Sequence, residues 1–205
     1  NAAGMGVPVH QVKEFAPHLS FGCSISQPPH LALAMTDHPE RIPEVHAEWP
    51  HMAVYYAMSD GGAGRVRTVP GFHDPLVSFA LDDADLTLLA DGLAKLCRCL
   101  LAAGATVLYP SVRGCPAIRS EADLALLPAI LPRDRTSLMT IHAFSTCPMG
   151  QDRGRTVADS FGRVHEAIGL HIADASLLCG PPGVNPQGSI MAFARRNALA
   201  FLDLA

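Results

Sequence analysis

The chain has 205 residues, 49% of them hydrophobic, and a formal net charge of −4, which is material for one large domain or one and a half smaller ones. It carries no basic field to attract nucleic acid and no polybasic segment for an anionic membrane surface. No apolar run reaches the roughly 18–20 residues of a membrane helix, because Pro, Asp or Gly interrupts every candidate, so a soluble chain is expected.

The opening NAAGMGVPV has no initiator Met, no signal-peptide pattern and no hydrophobic ramp, as if the chain began inside a fold. Residues 12–35 carry apolar runs that suit strands separated by a break at Pro28 and Pro29. The polar stretch TDHPERIPEVHAEWPH at 36–51, with three prolines, is expected to be a surface loop. Strands are expected at 52–58 and 65–69, flanking a hairpin turn made by GGAG at 61–64, and again at 75–81 between Pro75 and Asp82. Together they predict a sheet of at least four antiparallel strands. From Asp82 the period changes from two to about three and a half. Leu86, Leu89, Leu93, Leu96 and Leu100 recur at steps of three and four, Asp82, Asp83 and Asp85 stand at the start, and Lys95 and Arg98 lie toward the end before Gly104. Acids suit the positive pole of a helix, bases the negative pole, and glycine the left-handed cap. A long helix laid on the sheet is predicted, its leucine stripe facing core. Residues 105–110 (ATVLYP) return as a strand. Pro116, Pro128 and Pro132 limit any helix over 111–136 to about two turns, and SEADLALL fits one short helix with Ser120 as N-cap and Asp123 three residues on. The order describes an α+β fold, an antiparallel sheet with helices on one face, followed by a returning C-terminal segment.

The six cysteines, at 23, 97, 99, 115, 147 and 179, lack CxxC clips. Cys97 and Cys99 on one helix point about 200° apart and cannot clamp one ion. No metal site is expected, and scattered thiols favour a reducing, cytoplasm-like compartment. Of the ten histidines, His38, His46 and His51 fall in the Pro- and Glu-rich stretch and are expected to be exposed.

Three stretches of the last third carry the functional signal: HAFSTCPMG at 142–150, GLHIADASLL at 169–178 and GVNPQGSIMAFARRNALAFL at 183–202. In that order and spacing they resemble the C-terminal signature of the glucose-methanol-choline (GMC) family of flavin-dependent alcohol oxidoreductases. There a His precedes a Thr-Cys-x-Met-Gly turn, a short strand ends in Ala-Asp-Ala/Gly-Ser, and Asn-Pro opens the final helix. The matching positions are His142 with Thr146, Cys147, Met149 and Gly150, then Ala173, Asp174, Ala175 and Ser176, then Asn185 and Pro186. The run from DPLVSFAL through GLAKL to LLAAGAT is similar to the substrate-domain sheet and helix of bacterial members. The resemblance implies a substrate-binding domain over 16–150 and pieces of a discontinuous FAD-binding domain at 1–15 and 151–205. Three positions depart from the family pattern: Ser145 where Gly is usual, Pro148 for Arg, and Ala158 for Val before Asp159. The first is expected to stiffen the backbone beside the site.

The resemblance implies FAD as cofactor, an alcohol as substrate, His142 as base and Asn185 as its partner on the substrate oxygen, with Ala173, Asp174, Ala175, Gly183, Val184, Asn185 and Pro186 about the flavin. The residues support parts of this independently. Asn before Pro is a favourable helix start, and a helix N-terminus favours negative charge on a reduced flavin. Gly180, Gly183 and Gly188 permit close backbone approach. The plain alternatives are that His142 satisfies a buried carbonyl, Asn185 only caps its helix, Asp174 is a turn residue, and Cys147 is buried and inert. His165 and His171 receive no role. Phe21, Tyr55, Tyr56, Phe79 and Phe144 suit a hydrophobic alcohol pocket or simply core. No G-x-G-x-x-G strand-turn-helix is present, since Gly4 and Gly6 lead into Val7, Pro8 and Val9, so the ADP-binding half must come from an N-terminal fragment or another chain. A degenerate, non-catalytic scaffold and a hydroxynitrile-lyase-like member are the alternative readings.

Overall fold

The computed structural model describes residues 14, 15 and 18–202. The first thirteen residues, and with them most of the expected FAD-domain piece at 1–15, lie outside the described residues. The architecture is α+β, helices with small antiparallel ladders, and the chain divides into two compact units, Asn1–Leu138 and Met139–Ala205.

In the first unit, β1 (Leu19–Cys23) pairs with β2 (Tyr55–Ser59), and β3 (Ala63–Arg67) pairs with β4 (Leu76–Ala80), both antiparallel. The strands expected at 52–58, 65–69 and 75–81 are present. The four-stranded sheet and the hairpin across 61–64 are not, because β2 and β3 belong to different ladders. The glycines serve close approach instead. A Cβ on Gly61 would strike the Asp85 carboxylate and one on Gly62, at φ +90°, the Phe79 ring, so the segment is a crossing that only glycine can make.

Between β1 and β2 the chain is helical where strand and loop were expected. α1 spans Pro28–Ala34 and α2 spans Ile42–Glu48, with single 3-10 turns at Pro39–Arg41 and Trp49–His51. Each of the four begins with proline in its first turn, where the missing N–H is one that no helical carbonyl would accept. The prolines that were read as breaks are starts. Leu31, Met35 and Val45 form a small core with Trp49, Met52, Val54 and Tyr109 around it. His38, expected in solvent, is only 3% exposed, and its Nε2 lies 2.6 Å from the Pro110 carbonyl. His46 and His51 are exposed.

The helix predicted from Asp82 is α3, Asp83–Ala102. Asp82 accepts from the Asp85 amide at 2.8 Å while Asp85 accepts from the Asp82 amide at 3.0 Å, a reciprocal capping box. Gly104 follows its end at φ +96°. Its apolar residues face two partners rather than one. Leu88, Leu96 and Leu100 pack with Leu19, Phe21 and Ala57 of β1 and β2, while Leu86, Leu89, Ala90 and Leu93 pack with Val112, Cys115, Leu127 and Leu131 of the following segment. Gly92 lets β1 approach, since a Cβ there would lie 2.7 Å from Leu19.

The strand expected at 105–110 is reduced to one bridge, Leu108 with Ile118. SEADLALL forms a 3-10 helix, Ala122–Leu126, with no side-chain cap from Ser120. Asp123 holds it by accepting from the amides of Arg119 and Ser120 at 2.9 Å, and these donors pull its carboxyl below the ordinary range.

Candidate functional site

All three signature stretches fall in the second unit. Among its described residues the regular elements are a 3-10 turn at Ala175–Leu177 and α4, Gln187–Phe201. The rest is irregular backbone, so its shape depends on specific cross-links.

The first two stretches are joined by backbone. The Cys147 amide donates to the Ser176 carbonyl and the Met149 amide to the Leu177 carbonyl, each at 3.0 Å. Ser145 adds a side-chain tie, its hydroxyl donating to the Leu178 carbonyl at 2.7 Å, and the Cys179 thiol closes on the Met149 carbonyl at 3.2 Å. Ser145 has φ +66°, a left-handed conformation that among the described residues no other non-glycine adopts. The departure from glycine therefore falls where glycine would be unstrained.

The third stretch is tied to both others by two residues that sequence reasoning passed over. Asn197, 4% exposed, donates from Nδ2 to the Ile172 carbonyl at 3.2 Å. Arg196 donates to the Ser160 carbonyl and to Asn197 Oδ1, reaches the Met149 sulfur at 3.9 Å, and lies over the rings of Phe161 and Phe193. Gly162, at φ +78°, fits beneath, where a Cβ would meet Ile172 and Asn197. The available signal was the polar triplet Arg195-Arg196-Asn197 inside a helix otherwise rich in small and apolar residues. Asp159 shapes the same loop by accepting from the amides of Phe161 and Arg163.

His142 is half-buried on an irregular segment, its ring 6.5 Å from that of Phe144. Asp174 is exposed and accepts from the Ser176 amide at 2.8 Å, capping the 3-10 turn where a strand end was expected; Ala173 is exposed and Ala175 half-buried. Asn185 is exposed, Pro186 buried, and Gly183 and Val184 half-buried, with Gly183 at φ +67°. Asn185 is not the N-cap. α4 begins at Gln187 with Pro186 in the cap position and no side-chain cap bond. Cys147, expected to be buried, is half-buried. His165 bonds Thr156 Oγ1 at 3.1 Å, and His171 stands edge-on to Phe201.

The residues present fit a flat, negatively polarisable cofactor. The first amides of α4 have no intrahelical acceptor, and among the described residues its first turn contains no acid and no side chain caps it, so its positive pole meets no acid of its own first turn. Gly180 and Gly188 have nothing within 4 Å of the place a Cβ would take, which leaves backbone open to close approach. Among the described residues no group of three or more His, Cys, Asp or Glu could hold a metal ion, and no helix is long and apolar enough to cross a membrane.

The family model described as GMC oxidoreductase matches residues 63–194. An uncharacterised GMC-type oxidoreductase of Sinorhizobium fredii is 37% identical over 199 residues, covering 96% of this chain and 39% of that protein. A long-chain-alcohol oxidase of Arabidopsis thaliana is 29% identical over 162 residues, 72% of this chain and 21% of its own length. A 6'''-hydroxyparomomycin C oxidase of Streptomyces lividus is 42% identical over 59 residues, 29% of this chain and 11% of its own length. The chain thus spans well under half the length of these relatives.

Proposed function

Since the chain belongs to the GMC oxidoreductase family, we propose that it supplies the substrate-binding portion, residues 16–150, and the C-terminal catalytic segment of an FAD-dependent enzyme that oxidises an alcohol to a carbonyl compound. Residues 1–15 and 151–205 contribute to the FAD domain, and the dinucleotide-binding half comes from the additional polypeptide that the relatives carry. The observation that carries this reading is the interlock of the three signature stretches through Ser145, Cys147, Met149, Arg196 and Asn197. Two relatives named as oxidases, one of them of a long-chain alcohol, support the substrate class.

Hydride leaves a carbinol carbon readily only as its oxygen gains alkoxide character, so the hydroxyl proton needs an acceptor in place. His142 takes that proton on a ring nitrogen, for which an imidazole is suited near neutral pH. The side-chain amide of Asn185, which stands outside the cap position of α4, donates to the same oxygen and stabilises its developing charge. FAD, when bound, supplies the acceptor for the hydride. Ala173, Asp174, Ala175, Gly183, Val184, Asn185 and Pro186 would hold it, with the Asp174 carboxylate suited to ribityl hydroxyls or ordered water and the pole of α4 favouring negative charge beside it.

The test is anaerobic stopped-flow reduction of the completed holoenzyme by an accepted alcohol. His142→Ala is expected to slow flavin reduction by about 10²–10⁴ with flavin content nearly unchanged. A rate within about threefold of the parent from about pH 6 to 9 would assign the base elsewhere. Asn185→Asp is expected to be slower than Asn185→His, because a fixed negative charge opposes the alkoxide.

A further inference from the structure

Arg196 stands where the three signature stretches meet. From α4 its guanidinium donates to the Ser160 carbonyl and, at 3.2 Å, to Asn197 Oδ1, and it reaches the Met149 sulfur at 3.9 Å. Its central carbon lies 5.1 Å from the centre of the Phe161 ring and 4.9 Å from that of Phe193, within cation–π range of both. Met149 belongs to the first stretch, and its amide holds the second through the Leu177 carbonyl. The next residue of the helix, the buried Asn197, donates to the Ile172 carbonyl, and His171 stands edge-on to Phe201 farther along. These attachments lie in the C-terminal half of α4, whereas residues 183–186, which the reading above places at the substrate oxygen and the flavin, precede its first turn.

We propose that Arg196 is a positioning residue for the oxidation: by fixing the tilt of α4 against the Met149 turn, it sets where Asn185 and the pole of the helix stand relative to the segment that carries His142. The inference rests on the reading above that these groups serve an alcohol and a flavin. A helix rises about 1.5 Å per residue, so Arg196 lies roughly 14 Å from the start of α4 at Gln187. Over that lever a tilt of about 4° carries the helix start about 1 Å, and a misplacement of about 1 Å costs a positioned reaction on the order of 100-fold. Lysine cannot take over the task. A guanidinium is a planar fork that bonds two oxygens while its faces stack on rings, whereas an ammonium is a compact charge on a flexible stem. Arg196→Lys therefore keeps the charge and removes the geometry of the tie.

The experiment uses the completed holoenzyme and measures two quantities per bound flavin: the rate of anaerobic flavin reduction across a range of alcohol concentrations, and the midpoint potential of the flavin. Arg196→Lys is expected to lower the limiting rate about tenfold or more while the half-saturating alcohol concentration stays within about threefold of the parent's. The potential is expected to become more negative, because the positive pole of α4 draws away from the reduced flavin. Phe161→Leu, at a ring 40% exposed, removes one stacking face and keeps the hydrogen bonds; it should move both quantities the same way by less, and it supplies the test if the lysine variant does not fold. Arg195→Lys, on the exposed neighbour, should match the parent. A limiting rate or a potential equal to the parent's would overturn the proposal, even with a lowered melting temperature or flavin content, since Arg196 would then only stabilise the fold. If His142→Ala is reduced at the parent's rate, the base assignment falls while the potential of Arg196→Lys still decides this inference. A slow His142→Ala beside a parent-like Arg196→Lys would do the reverse.

Discussion

Ser145 combines two opposed effects. Its left-handed backbone, φ +66°, costs a non-glycine residue about 1 kcal/mol, and its hydroxyl bond to the Leu178 carbonyl returns a comparable amount. Ser145→Gly should therefore be near neutral, while Ser145→Ala, which keeps the conformation and loses the bond, should be less stable than Ser145→Gly by about 1 kcal/mol. Urea midpoints of the two variants check this, and Ala equal to or better than Gly would show that the backbone relaxes. Cys97 makes a second residue-scale prediction. Burial pushes its thiol from 9.0 up to about 11, and Cys115 beside it adds to the rise. At about pH 8 a thiol reagent should modify the exposed Cys99 and Cys179 quickly and reach Cys97 only on unfolding. The unfolded chain releases this proton first, so stability should fall as pH climbs from 9.0 toward about 11, and denaturation across that range reads the slope. At this scale the sequence marked Ser145 as unusual, but His38 was misplaced, because its partner Pro110 lies 72 positions away.

Element α3 was the most legible. Its period, its acidic start and its terminal glycine all arise from contacts within four residues, which spacing reveals directly. Asp82→Ala removes the cap to the Asp85 amide and should cost about 1 kcal/mol, measurable as a lowered urea midpoint. Gly92→Ala tests the packing above it. Alanine would favour the isolated helix by about 1 kcal/mol, but its Cβ would stand 2.7 Å from a Leu19 side chain that is itself buried, and overpacking of this kind costs about 1–3 kcal/mol. A net loss is expected, and a raised melting temperature would show that β1 yields. The helices α1 and α2 were missed because proline was weighed as a breaker when its position at the first turn makes it a starter.

At the scale of the molecule, the chain carries the pole of α4 and its glycines, while on the proposed reading the pyrophosphate and adenosine of FAD need a G-x-G-x-x-G turn, a motif that the sequence does not contain. The 205-residue chain alone should therefore bind FAD weakly or not at all. A flavin titration checks it, and stoichiometric binding below about 1 µM would contradict the assignment of the missing half. The sequence by itself determined the α+β class, the long helix, three of the strands and the series of signature stretches, because period, caps and motif order are local properties of the chain. Only the tertiary structure decided that β2 takes β1 and not β3 as its partner, that α3 is covered on two sides, and that Arg196 and Asn197 rather than any motif residue bind α4 to Met149 and Ile172. Those choices join residues 25 to 47 positions apart in the case of α4. Burial and hydrogen-bond satisfaction select such partners in three dimensions, and no spacing along the chain encodes them.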